Sequence, residues 1–270
     1  WNLGDSAVST AQNPTHFYAQ PGFYTINLTV MSDQGCYASK VDSIEIYAPP
    51  TPSPVAGTGC VNDNIAFADT STGANNNIVT YDWDFGNGTT SAATAPSSVY
   101  TTAGSYTVTL TTTNSNGCRA TTTVNVDVSP LPNAGFTAGT ACLNTPVQFT
   151  STSTIGTGTI SGYSWDFGDG GGISSLQNPQ YAYAQPGTYT VTLIVTSGDG
   201  CNDTITGQVV VNPLPVANFT ALNAIGCGPL LVQFNDSSFI SSGNIVAWDW
   251  DFGDGGSSNA QDPTHTYTES

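Results

Sequence analysis

The 270-residue chain carries 2 Lys plus Arg against 19 Asp plus Glu, a net charge of −17. That balance excludes nucleic acid and anionic membrane surfaces as partners, because both require cationic side chains to neutralise phosphate. No run of 18 apolar residues is present, so no segment reads as membrane-embedded, while 38% apolar and 10% aromatic residues are enough for packed cores.

In chain order, the first block is Trp1-Asn2-Leu3-Gly4-Asp5, followed by Pro14, Tyr18 and the alternating run Tyr24-Thr25-Ile26-Asn27-Leu28 that ends towards Gly35-Cys36. A Pro cluster at 49–54 closes this first unit. Next come Cys60, a strand marked by Ile65/Phe67, and Tyr81-Asp82-Trp83-Asp84-Phe85, whose aromatics share one face and whose Asp residues share the other. Then follow Pro96, Tyr100, Tyr106-Thr107-Val108-Thr109-Leu110, Cys118 and the strand Val124/Val126/Val128, up to Pro130-Leu131-Pro132. The same order recurs through Cys142, Val147/Phe149, Trp165-Asp166-Phe167-Gly168-Asp169, Pro179, Tyr183, Tyr189-Thr190-Val191-Thr192-Leu193, Cys201 and Val209/Val211. After Pro213-Leu214-Pro215 it begins again with Cys227, Val232/Phe234, Trp250-Asp251-Phe252-Gly253-Asp254, Pro263 and Tyr267.

The four Trp residues stand 82, 82 and 85 apart, the signature of a repeat architecture. Four repeats are expected: 1–48 (C-terminal part only), 51–130, 131–213 and 214–270 (N-terminal part only). The chain opens in mid-pattern without a signal peptide, so it reads as a piece of something longer. A half sandwich exposes its core, so both end pieces call for further sequence or a neighbouring chain.

Period-2 alternation and no amphipathic helix give an all-β chain of two-sheet sandwiches, six or seven strands each. Trp is the expected core plug on strand C. The Tyr opening strand F sits where a tyrosine-corner residue would sit. The Gly-Asp-Gly turn after strand C needs Gly for positive φ and Asp for side-chain bonds to the backbone.

The Trp-Asp-Phe-Gly-Asp-Gly motif, Asn178-Pro179 to Tyr183, and Gly-x-Tyr-x-Val-x-Leu together resemble the PKD domain family over the whole chain. That resemblance implies tandem immunoglobulin-like β-sandwiches in a head-to-tail array. Departures are Asn2 and Leu3 for Asp and Phe, and Asn87 for the second Asp. The His often found two before the Tyr is present at His16 and His265 but is Ser98 and Tyr181 in the middle repeats. The cysteine-bearing tandem form also resembles cell-surface proteins of the Bacteroidetes, including gliding-motility adhesins, which implies export to the cell surface.

No catalytic residue is expected. The Asp pairs Asp166/Asp169 and Asp251/Asp254 read as turn formers, with calcium as a second reading. Repeat 2 lacks the second Asp, and no nearby His or Lys is expected to complete a site. His16 and His265, at equivalent positions, read as packing or turn residues. Outward Thr rows read as β-propensity on a polar face rather than a sugar- or ice-binding array. Asp5-Ser6-Ala7, Asp42-Ser43-Ile44 and Asp203-Thr204-Ile205 match an O-glycosylation signal of Bacteroidetes exported proteins, making Ser6, Ser43 and Thr204 candidates.

Six regularly placed Cys in an exported chain imply disulfides. Cys118 and Cys201 fall at the F–G hairpin tip, and Cys60 and Cys142 in the A–B loop, at opposite poles of a sandwich. That separation is about 20 Å at 3.3 Å per residue, whereas a disulfide needs Cα atoms within about 7 Å. Head-to-tail stacking instead brings the A–B loop of one domain to the F–G tip of the next, which pairs Cys60 with Cys201. Cys36, Cys118, Cys142 and Cys227 are then unpaired within this stretch. Intradomain pairs (Cys60–Cys118, Cys142–Cys201) and the neighbour pair Cys118–Cys142 remain open. Two functions follow: a structural stalk or filament segment of an extracellular bacterial adhesin, with neighbouring repeats as its partners, or a polysaccharide- or surface-binding array accessory to a secreted hydrolase.

Overall fold

A computed structural model describes residues 1–74 and 77–268. Among these residues every regular element is a strand, and no helix is long and apolar enough to cross a membrane. The chain forms two compact units, Trp1–Pro130 and Leu131–Ser270.

In the first unit, β1 (Gly22–Met31) and β2 (Tyr37–Ile46) form an antiparallel hairpin. After them come β3 (Pro54–Ala56), β4 (Gly59–Cys60), β5 (Asn64–Asp69), β6 (Ile78–Asp84), β7 (Thr90–Ser91), β8 (Ser97–Val99), β9 (Gly104–Asn114) and β10 (Arg119–Ser129). The sheets β3-β5-β8 and β4-β10-β9-β6-β7 face each other over the core. Alternation on β9 decides which side chains enter it: Val108 and Leu110 are fully buried, while Thr107 is exposed and Thr109 partly so. Trp83 on β6, opposite Leu110, is also fully buried.

The second unit repeats the plan. Its strands are β11 (Phe136–Ala138), β12 (Ala141–Cys142), β13 (Val147–Ser151), β14 (Ile160–Asp166), β15 (Ile173–Ser174), β16 (Gln180–Tyr181), β17 (Gly187–Ser197) and β18 (Asn202–Asn212). They make the sheets β11-β13-β16 and β12-β18-β17-β14-β15 around Phe149, Trp165, Phe167, Val191 and Leu193. The last repeat holds β19 (Phe219–Leu222), β20 (Leu230–Asp236), β21 (Trp250–Asp251), β22 (Ser257–Ser258) and β23 (Thr264–Tyr267), as β19-β20-β23 and β21-β22. Strands F and G of the full sandwiches are β9/β10 and β17/β18.

Four recurrent bonds tie motif to fold. Each indole Nε1 donates to a carbonyl 10 or 11 residues on: Trp1 to Ala11 at 3.0 Å, Trp83 to Ala93 at 3.1 Å, Trp165 to Leu176 at 2.8 Å and Trp250 to Ala260 at 2.8 Å. The recurrent Pro contributes its carbonyl, which accepts from a strand-B Phe amide: Phe67 to Pro96, Phe149 to Pro179 and Phe234 to Pro263, each at 2.9 Å.

Two different tyrosines act in each full repeat. Tyr106 and Tyr189, opening strand F, donate to the carbonyls of Thr102 and Gln185 four residues upstream, the tyrosine-corner geometry. Tyr100 and Tyr183 instead reach Phe85 O at 3.1 Å and Phe167 O at 3.0 Å, locking strand C to the segment before F. Burial and the neighbouring Asp169 push the Tyr183 hydroxyl well above its usual pKa, so it stays a donor. Tyr183→Phe removes a buried bond and strands the Phe167 carbonyl. The expected cost to the third repeat is about 1–3 kcal/mol, measured by hydrogen exchange of β14 and β17.

Cys60 and Cys142 lie in short strands rather than in the expected A–B loop. β4 runs parallel to the end of β10, with Ser129 opposite Cys60, and β12 runs parallel to the end of β18, with Asn212 opposite Cys142. The cause is a change of sheet by strand A. β3 pairs with β5, and then Gly57 and Gly59, which sit against Ala66 and Ile65, carry the chain across to strand G. The F–G tips match the expectation of tight hairpins. Gly35, Gly117 and Gly200 take φ of 80°, 78° and 85° immediately before Cys36, Cys118 and Cys201.

Candidate functional site

The turn after strand C is built by carboxylates, as its sequence requires. Asp84, Asp166 and Asp251 each accept the amide of the glycine two residues on, at 2.9 Å. Asp169 Oδ1 accepts the amides of Gly172 at 2.9 Å and Gly171 at 3.3 Å.

The second acidic position has a partner in every repeat, which corrects the expectation that no His stands near these carboxylates. His16 Nε2 meets Asp5 Oδ2 at 2.6 Å, and His265 Nε2 meets Asp254 Oδ2 at 2.7 Å. In the middle repeats Asn87 Nδ2 donates to Ser98 Oγ at 3.0 Å, and the Tyr181 hydroxyl donates to Asp169 Oδ2. His265 also stacks on Phe252 with ring centroids 4.3 Å apart. Each pair clasps the strand-C turn to the segment before strand F. The carboxylates are thereby committed to donors of the fold. Among the described residues no group of three or more His, Cys, Asp or Glu side chains is placed to hold a metal ion. The signal was legible: the two positions, 11 or 12 residues apart, change together from repeat to repeat.

The His265 bond holds the Asp254 carboxyl below the usual range, His16 does the same for Asp5, and the Tyr181 bond for Asp169. That same bond raises the Tyr181 hydroxyl. A lowered Asp pKa stabilises above the unfolded value near ~3.9, and this is lost as pH falls through the folded value. A raised Tyr pKa stabilises below about 10 and is lost as pH rises through the folded value. The melting-temperature gap between the wild type and Tyr181→Phe is therefore expected to be widest between about pH 4 and 10 and to close at both ends.

The cysteines occupy two kinds of site. Cys201, 1% exposed, sits at the tip of β17–β18, its amide bonded to Ser197 Oγ at 3.1 Å. Cys118 sits at the tip of β9–β10, its amide bonded to Asn114 Oδ1 at 3.0 Å. Cys60 and Cys142 begin tight turns closed by Asp63 and Thr145. Cys60 and Cys201 are disulfide-bonded, whereas Cys36, Cys118, Cys142 and Cys227 are thiols.

Strand register decides against intradomain bonds. Cys60 pairs with Ser129 at the end of β10, and Cys118 immediately precedes Arg119 at its start. The length of β10 between them is about 33 Å at 3.3 Å per residue, several times what a disulfide spans. Cys142 and Cys201 lie at opposite ends of β18 in the same way.

Within the first unit, the tip of the second repeat touches the end of the first. Asn114 Nδ2 donates to Ala48 O at 3.0 Å, and Cys118 Sγ lies 3.8 Å from Tyr47 O, just beyond β2. Ser6, Ser43 and Thr204 are all exposed, Ser6 in a turn with φ of 76° and the other two on strand G. The Thr row of the second repeat is satisfied internally in part, with Thr111 and Thr121 hydroxyls 2.8 Å apart across strands F and G.

Comparison with known proteins accords with the repeat pattern. The PKD domain family matches residues 1–46, 47–129, 127–211 and 212–270. The pre-pro-metalloprotease PrtV of Vibrio cholerae is 39% identical over 107 residues, 38% of this chain and 11% of that protein. The collagenase ColA of Bacillus cereus is 38% identical over 53 residues, 20% of this chain and 6% of that protein. The chain thus spans only a small part of these relatives' length. The PKD1 domain of PrtV is 38% identical, covers 30% of this chain and 99% of its own, and has a TM-score of 0.29. The PKD1 domain of Vibrio anguillarum Epp is 36% identical, covers 31% and 96%, and has a TM-score of 0.29. From its first residue to its last, this chain belongs to the PKD domain family, as a tandem array of non-catalytic β-sandwich modules.

Proposed function

We propose that this array is a stalk or filament segment of an extracellular bacterial adhesin, spacing adhesive domains from the surface, and that Cys60 and Cys201 bond each other across the junction of the second and third repeats. The carrying observation is the contact of Asn114 and Cys118 with Ala48 and Tyr47. It puts the F–G tip of one repeat at the end of strand G of the repeat before. The same relation one repeat later brings Cys201 to the end of β10, where Cys60 lies opposite Ser129. The disulfide state of Cys60 and Cys201 and the ~33 Å barrier to intradomain pairs support it. Repeat arrays transmit length through nearest-neighbour contacts, and a staple at each junction resists bending and stretch. The likeness of the cysteine-bearing tandem form to Bacteroidetes gliding adhesins supports a cell-surface location. Exposure of Ser6, Ser43 and Thr204 is compatible with O-glycosylation there.

A second reading is a polysaccharide- or surface-binding array accessory to a secreted hydrolase. It is favoured by the matching segments of PrtV and ColA. Phe23 and Tyr37, 77% and 72% exposed on β1 and β2, are the surfaces it would use.

Single-molecule pulling separates the two. With the staple in place, the roughly 140 residues between Cys60 and Cys201 are shielded from force, and reduction releases up to about 500 Å of contour at ~3.6 Å per residue. Unchanged contour on reduction, together with glycan binding lost in a Phe23→Ala/Tyr37→Ala double variant, would favour the binding array instead.

A further inference from the structure

The first and last repeats carry opposite halves of one sandwich. In the second repeat, the hairpin β9–β10 closes the core with Val108, Leu110, Val126 and Val128, none more than 4% exposed. In the last repeat the equivalent face, formed by Phe219, Phe234, Trp250 and Phe252, opens on a cleft of about 540 Å³. In the first repeat the hairpin β1–β2 presents Ile26, Leu28, Ile44 and Ile46, the counterparts of those four closing residues, all half-buried. The cysteines divide the same way. Hairpin-tip thiols Cys36 and Cys118 are free in the first unit, and their complements Cys142 and Cys227 are free in the second.

We propose that the β1–β2 hairpin of one copy closes the last repeat of a second copy, so that this 270-residue chain assembles head to tail. Leu28 then lies opposite Trp250, as Leu110 lies opposite Trp83. The hairpin's own strand-C residues are displaced. They hold it through a single bridge, Asn2 to Asn27, where β6 holds β9 along six paired positions from Ile78 to Asp84. The exchange is a domain swap: it trades Trp1 and Leu3 for Trp250 and Phe252 and adds the whole β19-β20-β23 sheet.

The junction rule then assigns every free thiol: Cys36 of one copy to Cys142 of the next, and Cys118 to Cys227. Each bond forms by exchange with oxidised glutathione: two thiols become one protein disulfide, and glutathione disulfide becomes two reduced glutathiones. The charge of −17 on each copy opposes the contact, so association strengthens with salt. This inference rests on the cross-junction pairing proposed for Cys60 and Cys201.

The test is analytical ultracentrifugation of the full 270-residue chain over a concentration and salt series, in glutathione redox buffer, with non-reducing peptide mapping. The expected result is multimers that grow with concentration, linked Cys36–Cys142 and Cys118–Cys227 between chains. Leu28→Asp disables the hairpin and Phe219→Asp disables the cleft, so each variant alone stays monomeric. Mixed, they form a 1:1 dimer and nothing larger, which shows that both fold. A wild-type chain that stays monomeric overturns the proposal, as do multimers lacking these two links. If Cys60–Cys201 is intact in that monomer, the stalk reading stands without the swap; if that bond is also absent, both fall.

Discussion

Replacing Trp165 by Ala is expected to cost the third repeat about 3–5 kcal/mol. Trp165 is 1% exposed, wedged between Phe136 and Phe149 at centroid distances of 5.2 and 5.6 Å and stacked on Phe167 at 6.4 Å. Its indole N–H also holds Leu176 O. Truncation opens a cavity walled on two sides by strands that cannot close on it, and it leaves that carbonyl unpartnered. Hydrogen exchange resolves the effect repeat by repeat. Protection in β17 is expected to fall by about 10²- to 10³-fold or more, at a factor of ten per ~1.4 kcal/mol. Protection in β9, whose core has its own Trp83, is expected to hold. A β17 loss below about tenfold would mean that the indole is not the plug of this sandwich.

Gly168→Ala is the second large effect, and it works through the backbone. Gly168 has φ of +79°, and a Cβ there would stand 2.2 Å from the carbonyl oxygen of Thr190 in the middle of β17. Thr190 is pinned by its pairing with Gln208 on β18, so the strand cannot yield. The left-handed conformation costs an alanine about 1–2 kcal/mol, and overpacking adds about 1–3 kcal/mol. Gly170 is the built-in control. Its φ is +86°, but nothing lies within 4 Å of its Cβ position. Gly170→Ala is expected to show only the conformational cost of about 1–2 kcal/mol. Equal losses for the two variants, by chemical denaturation, would remove the steric part of this account.

Those two glycines show how far the sequence speaks. Period-2 alternation in Tyr189-Thr190-Val191-Thr192-Leu193 translates directly into β17 with Val191 and Leu193 fully buried, because a strand has one inner face. The fourfold Trp motif likewise marks the core. The clasp is different. Asp169 and Tyr181 look like separate departures from a motif until the fold places them in contact, since a hydrogen bond between loops has no local period to reveal it. Strand A also escaped a sequence reading. Two-residue strands such as β4 have no alternation, and only a parallel partner, β10, defines them. The position of Cys60 was therefore right as to pole and wrong as to element.

The account's central claim is the staple between repeats, and non-reducing peptide mapping tests it most directly. With only two basic residues in the chain, cleavage at Asp rather than at Lys or Arg is the practical choice. After blocking of free thiols, the predicted result is the Cys60 peptide joined to the Cys201 peptide, with Cys118 and Cys142 recovered outside any intradomain pair. Cys60 joined to Cys118, or Cys142 joined to Cys201, would contradict it, and with it the stapled rod.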